Sequence, residues 1–535
     1  MSTMVGYDGF KYGSSVTITE RIEIVMNTKH NKVGVIISGL LLAILMASMD
    51  NTIVATAMGT IVGEMGGLDK FVWVTSAYMV AEMAGMPIFG KLSDMYGRKR
   101  FFIFGIIVFM IGSALCGTAE SITQLSLYRA VQGIGAGAMV SIAFTIMFDI
   151  VPPENRGKMT GMFGALFGLS SVVAPMLGGF ITDHLQWEWI FYINLPLGLV
   201  AFLLVLIFYK ESTVHSKQSI DFLGALLLIG AVICLMLGLE LGGKEYAWGS
   251  PQIFGLFAGF VVFTVLLVFV EKRAVEPIIS FRMFQNRLYT TSNMIAIFSG
   301  AAYMSAAMFI PIYIQGVLGG TASNSGLVLL PMMIGSVVTA TVGGFLMAKL
   351  PYRTILIPPL FILIAGLALL TGLTMDSPRV LITTYMVLVG LGVGTSFSVL
   401  SSSAIHSFPA TQRGAASSTL NFNRSLGMTL GITIFGIIQN HLLTSKLTQT
   451  FASKGATQMP ADFNYNDPYV LLNPALSKSI DGNTLSTIKL GLTDSIISTF
   501  AWSLVPAVLA LIAAFFMSRE KLDPSPREDG YVTTH

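Results

Sequence analysis

The stretch Gly90-Lys91-Leu92-Ser93-Asp94-Met95-Tyr96-Gly97-Arg98-Lys99-Arg100 sits between two long apolar runs. Two glycines bracket one acid, and four cations fall within eleven residues. Charge this dense is not tolerated in hydrocarbon, so the segment reads as a charged hairpin in water between two membrane spans. Short loops rich in Lys and Arg stay on the cytoplasmic side, which puts this one in the cytoplasm.

The composition outward from that loop agrees. The chain has 535 residues, 53% hydrophobic and 11% charged, where soluble domains carry about 25% charge. So much apolar surface has no core large enough to hide in, and lipid is its solvent. The net charge of +3 gives no sign of a nucleic-acid partner. Cys116 and Cys234 both fall in apolar runs and read as small buried hydrophobes, without metal or disulfide spacing.

A span needs about 20 apolar residues. Fourteen runs qualify: 33–57, 71–89, 101–119, 122–150, 157–183, 190–209, 221–241, 252–271, 288–316, 324–349, 353–373, 379–405, 412–440 and 493–518. With the N-terminus in the cytoplasm, inner loops and tails hold 22 of the 31 Lys and Arg, and the short outer loops only Lys70, Lys244 and Arg379. Four more lie in 441–492, and Arg129 and Arg424 lie inside spans. The asymmetry supports that orientation and an even number of spans. Residues 1–32 have no apolar core and read as a cytoplasmic segment rather than a signal peptide. Segment 441–492 reads as a long extracellular loop, and 519–535 as a cytoplasmic tail.

The spacing G-x-L-S-D-x-x-G-R-K-R closely resembles the loop after helix 2 of the major facilitator superfamily of transporters. That resemblance implies an all-α membrane protein. It would hold two six-helix bundles, 33–209 and 288–518, with two extra helices in 210–287. In the family the loop works as a cytoplasmic gate, which here would involve Gly90, Asp94, Gly97, Arg98 and Lys99. A weaker echo, Gly344 to Arg353, keeps a glycine and two cations and lacks the acid.

Three charges lie deep within first-half spans: Asp50, Glu82 and Arg129. Asp50 in span 1 costs about 2.5–3.5 kcal/mol to insert, which makes it a functional candidate, a permanently paired structural acid being the alternative. Its run D-x-T-I-V-x-x-A resembles that of drug:proton antiporters, with Ala55 where those usually have Asn. Glu82, halfway along span 2, has no family precedent. Burial favours its neutral form, which suits a proton carrier, although it could merely pack. Arg129 opens Arg129-Ala130-Val131-Gln132-Gly133-Ile134-Gly135-Ala136-Gly137, which resembles the family pattern R-x-x-Q-G-x-G-A-G. A buried arginine needs an anion, and the resemblance implies Asp50, because the family's architecture sets helices 1 and 4 side by side. Asp50, Glu82 and Arg129 therefore read as the proton-coupling and substrate-binding set.

In span 5, Gly168, Pro175, Gly178 and Gly179 resemble the antiporter pattern G-P-x-x-G-G, with Ala174 for the first glycine. Small residues at such spacing suit close helix contact. Trp187-Glu188-Trp189-Ile190-Phe191-Tyr192-Ile193-Asn194-Leu195-Pro196 resembles the W-R-W-x-F-x-I-N-x-P of 14-helix drug exporters, with Glu188 for the usual arginine and both tryptophans read as interfacial anchors. Pro311 to Gly319 and Arg413 to Arg424 resemble the same exporters. Tyr78, Gln132, Tyr303, Phe309, Tyr313, Gln315, Asn421 and Arg424 are expected to line a cavity. Spans 9–13 hold no deep acid, so proton coupling is expected in the first half alone.

The mid-span glycines are not a nucleotide loop. No Walker loop, metal cluster or Ser/His/Asp set is evident, so neither an enzyme nor a cofactor is expected. The resemblance implies a monomeric proton-coupled antiporter in a bacterial plasma membrane, exporting lipophilic, often cationic drugs. Its partners would be those small molecules, protons and the bilayer. A dedicated exporter of one metabolite, peptide or siderophore is the first alternative, and a non-transporting sensor or scaffold the second.

Overall fold

The computed structural model describes residues 32–65, 72–211, 221–243, 245–274, 277–320, 322–453 and 482–521. Their regular structure is helical, as the expected fold class requires. In lipid every backbone N–H and C=O must be satisfied within the chain, and a helix does this segment by segment. We number the long helices α1 Val33–Met65, α2 Val72–Tyr96, α3 Arg98–Cys116, α4 Ile122–Ile150, α5 Pro153–His184, α6 Asn194–Phe208 and α7 Phe222–Leu241. After them come α8 Pro251–Glu271, α9 Arg287–Ile312, α10 Ala322–Leu346, α11 Tyr352–Leu370, α12 Arg379–His406, α13 Arg413–Ser453 and α14 Gly482–Phe516. Among the described residues, 12 helices are long and apolar enough to cross a membrane. Helices α2 and α5 stand beside them in the positions of spans 2 and 5.

Side-chain caps fix several starts. Ser121, Asp221, Ser250 and Asn286 accept the backbone N–H three residues on, at 3.3, 2.7, 3.4 and 3.0 Å. They open α4, α7, α8 and α9.

Three boundaries differ from the sequence reading. The charged segment Gly90–Arg100 is not an open hairpin loop: α2 runs through it to Tyr96, and α3 starts at Arg98. Gly97 alone makes the turn, at φ 113°, a conformation L side chains rarely adopt. Segment 441–492 is helical at both ends, because α13 continues to Ser453 and α14 begins at Gly482. Hydropathy marks where a helix leaves lipid, not where it ends. Residues 1–31, 454–481 and 522–535, expected as tails and loop, lie outside the described residues.

Helix α4 is the central post of the first half, and its glycines explain why. A Cβ on Gly133 would run into the carbonyl oxygen of Tyr78 and one on Gly137 into that of Glu82, both on α2. A Cβ on Gly135 would run into the backbone of Phe109 on α3. Gly112 of α3 returns the contact, its Cβ position lying 2.6 Å from Gln132 Cα. Steps of four put Gly133 and Gly137 on one face of α4, and Gly135 turns to another. The pattern that resembles a phosphate loop is thus a two-sided seat for α2 and α3. Helix α5 packs on α1, where Gly178 abuts Thr56 and Ile53 and the Ser48 and Ser170 hydroxyls lie 2.6 Å apart. Gly179, by contrast, has nothing within 4 Å of its Cβ position among the described residues. Gly168 and Pro175 lie within α5; their surroundings are outside the described residues.

Helices α7 and α8 pack on each other, and α7 reaches α2. Phe254, Val261, Val262, Val265, Leu266 and Phe269 of α8 stay exposed, as a lipid-facing helix requires. The helices before α7 meet those after α8 along α2 with α13 and α5 with α10.

These contacts give a paired test. Gly133→Val drives a branched side chain into a backbone carbonyl with nowhere to move, so the thermal midpoint of the purified protein should drop by the equivalent of about 1–3 kcal/mol or more. Gly179→Ala should leave it unchanged. Equal midpoints for both variants would refute the two-sided seat.

Candidate functional site

The first-half charges meet at one point. Asp50 of α1 and Arg129 of α4 are both 0% exposed, and Arg129 Nη1 is bonded directly to Asp50 Oδ2. Arg129 Nη1 also donates to Gln132 Oε1 at 2.8 Å, and Nε to the Val74 carbonyl at 3.3 Å. The other carboxylate oxygen of Asp50 accepts two amides: Gln132 Nε2 at 2.8 Å and Asn194 Nδ2 at 3.1 Å. Tyr78 caps the guanidinium, its ring centroid 4.1 Å from Arg129 Cζ and its hydroxyl donating to the Ala47 carbonyl at 3.2 Å. Three donors thus converge on the Asp50 carboxyl in a buried site, and the arginine's contact is of the strong, charge-assisted kind.

Glu82 lies nearby on α2 under different conditions. It is half-buried, and among the described residues its carboxyl has no hydrogen-bond partner. Asp50 and Arg129 act on it electrostatically with opposite signs. The site therefore pairs one saturated carboxylate with one free to meet a proton or a cation.

Opposite ends of sequence meet at the Gly90–Arg100 segment. Asp94 accepts the backbone N–H groups of Gly414 and Ala415 at 3.0 and 2.8 Å, at the start of α13. A carboxylate there satisfies orphan donors and faces the positive end of the helix dipole. Arg98, 1% exposed, donates to Asp94 at 3.1 Å and is ion-paired with Asp149 at the end of α4. Its backbone N–H goes to Glu211 beyond α6, and Lys99 Nζ to the Leu206 carbonyl at 2.7 Å. Gly90 lets the halves touch: a Cβ there would strike Ser418 and come within 2.9 Å of the Gly414 carbonyl oxygen. These contacts hold α2 against α13 at one face of the molecule.

Several residues expected to line a cavity are buried here. Tyr78, Gln132, Phe309 and Tyr313 each expose 1% or less of their surface, so none lines an open cavity in this conformation. Tyr78 and Gln132 belong to the cage around Arg129. Phe309 is core, and Tyr313 donates its hydroxyl to the Thr374 carbonyl. Tyr303 and Gln315 are half-buried, Tyr303 lying edge-on to Phe397 with centroids 6.2 Å apart. Arg424 is buried and donates to Asn421 Oδ1 at 3.0 Å and the Ser396 carbonyl at 3.3 Å, over the Phe397 ring. Its described partners include no acid. Trp187 is 3% exposed and donates to Glu64 at 3.0 Å, so it is internal, whereas Trp189 is exposed as an anchor would be.

The sequence reading gave no role to Asn194, Ser113, Asp149 or Glu211. Asn194 stood inside a quoted pattern, and its polarity at the head of a strongly apolar helix was the usable signal. Asp149 and Glu211 end apolar runs, where a terminal acid looks merely solvated.

Against this geometry stand the likenesses. The Major Facilitator Superfamily pattern matches residues 40–432. Multidrug resistance protein 3 of Bacillus subtilis is 49% identical over 488 residues, covering 91% of this chain and 95% of that protein. Multidrug transporter protein MdtP of the same organism is 36% identical over 518 residues, covering 94% and 96%. Among solved structures, the proton:xylose symporter XylE superposes at a TM-score of 0.57 and 12% identity, covering 92% and 96%. That last likeness speaks for the fold alone.

Removing Arg129 would strand a buried carboxylate, which costs about 3–5 kcal/mol. Arg129→Ala should therefore lower the thermal midpoint sharply, and Asp50→Asn in the same chain should recover most of the loss. If the double variant is no more stable than Arg129→Ala, the pair is not the source.

Proposed function

We propose that this chain, which belongs to the major facilitator superfamily, is a proton-coupled antiporter that exports lipophilic, often cationic drugs across the plasma membrane. The observation that carries the reading is the buried Asp50–Arg129 pair beside Glu82, whose carboxyl has no hydrogen-bond partner among the described residues. The printed names of the two Bacillus relatives support the multidrug part. Asp50, Glu82 and Arg129 form the coupling centre. A proton on Asp50 weakens its hold on Arg129, and a cationic substrate beside Glu82 favours loss of a proton. Proton and drug therefore compete for one centre.

In this reading the latch faces the cytoplasm, with both termini, and the latched state faces outward. Alternating access breaks the Asp94 contacts to α13 and closes the opposite face. The first helices, 33–209, and the last, 288–518, rock as two bundles around the centre, with 210–287 between them. The carrier works as a monomer and needs no cofactor, because the proton gradient drives it. One proton crossing 100 mV contributes about 2.3 kcal/mol and one pH unit about 1.4. Together these sustain a several-hundredfold gradient of a neutral substrate.

Drug-induced proton release by the purified protein tests the centre. Asp50→Asn cannot titrate and should abolish release while the protein remains folded in the membrane. Glu82→Gln should impair export of cations while sparing neutral drugs. Normal release from Asp50→Asn would reject Asp50 as the coupling residue.

The latch is tested separately. Asp94→Ala removes the acceptor for two amides and for Arg98, far from the centre, so the maximal transport rate should fall at least tenfold with drug affinity within twofold. Lost affinity at unchanged maximal rate would count against a latch.

A further inference from the structure

We propose that Asn194 is a positioning residue for Asp50, and that it ties the charge state of that carboxylate to the connector between α5 and α6. This role rests on the coupling centre proposed above and gives a function there to a residue that the quoted pattern contained without one.

Asn194 is 3% exposed and sits at the first position of α6. Its Nδ2 donates to Asp50 Oδ1 at 3.1 Å and to Ser113 Oγ at 3.0 Å. Ser113, 0% exposed, in turn donates to the Phe191 carbonyl at 2.8 Å. Both hydrogens of one amide are thus spent, one on the acid and one on a hydroxyl anchored to the connector. The same connector reaches the centre again: the Phe191 ring lies 6.0 Å from Arg129 Cζ. It reaches away from it too, since Trp187 donates to Glu64 at 3.0 Å and Tyr192 to the Gly117 carbonyl at 2.8 Å. The connector is the opposite end of the bundle from the Asp94 latch, because α5 runs from one end to the other.

An amide serves both states of a carboxyl. Its N–H stabilises the carboxylate, and a half-turn about the Cβ–Cγ bond offers its oxygen to a protonated acid. The half-turn removes the N–H from Ser113, so protonation at Asp50 is felt at the Phe191 carbonyl. Alanine or leucine at 194 has no such link. The groups that face Asp50 are Arg129 on α4, Glu82 and Tyr78 on α2 and Cys116 on α3. Of the facing groups that titrate, only Asp50 is bonded to Asn194.

The test is the pH dependence of drug binding to purified protein in lipid nanodiscs. Losing a donor disfavours the carboxylate, so protons displace drug at higher pH. Asn194→Ala should move the acid limb of the binding curve upward by about one pH unit. In an Asp50→Asn background the same substitution should not move it. A fixed acid limb in folded Asn194→Ala, or an equal shift in the Asp50→Asn background, overturns the proposal. Should Asn194→Ala fail to fold, Ser113→Ala decides: a smaller upward shift upholds the link, and none overturns it. Normal proton release from Asp50→Asn alone places the fault with the coupling centre itself.

Discussion

One ion pair in a dry interior constrains everything around it. Neither Asp50 nor Arg129 touches water, so each must be repaid by the other and by additional donors and acceptors. That requirement brings α1 against α4 and recruits Gln132 and Asn194 to the carboxylate. It also sets Tyr78 over the guanidinium. The glycines of α4 are then a matter of geometry. Two neighbouring helices must approach closely enough to exclude water from the pair, and side chains at Gly133, Gly135 or Gly137 would hold them off.

The two halves solve their buried charge differently. The first half neutralises Arg129 with an acid. The second holds Arg424 with a side-chain amide, a backbone carbonyl and an aromatic face. The halves are joined by neither of these. Asp94 binds two backbone amides and an arginine at once, so a single carboxylate ties α2 to the start of α13, and a side chain at Gly414 would strike that carboxylate.

Much of this was legible in the sequence because lipid punishes exceptions. A run of 20 apolar residues has few alternatives to a helix, and a buried acid and arginine have few alternatives to each other. Span positions stem from the first penalty; the second demanded an acid for Arg129, and the family's placing of helices 1 and 4 side by side pointed to Asp50 rather than Glu82. Which of the aromatic and amide residues are fully buried was not legible. Tyr78, Gln132, Phe309 and Tyr313 are residue types that line cavities or fill cores equally well, and only packing separates the two. Helix ends were also hidden: the stretches His441–Ser453 and Lys91–Tyr96 are polar or charged, yet neither contains a glycine or proline, so both are compatible with helix. Asn194 was missed because an asparagine is neutral, and an insertion-cost argument draws attention only to charges.

The one-residue joint at Gly97 has a consequence for how such chains can vary in length. Arg98 is the first residue of α3 and must meet Asp94, Asp149 and Glu211 together. Each residue added to a helix turns the downstream chain by about 100° and lifts it by about 1.5 Å. A single insertion on either side of Gly97 would therefore swing Arg98 away from all three acids at once. Elsewhere a connector can absorb indels, but this joint keeps a fixed register, and its length is as constrained as its composition.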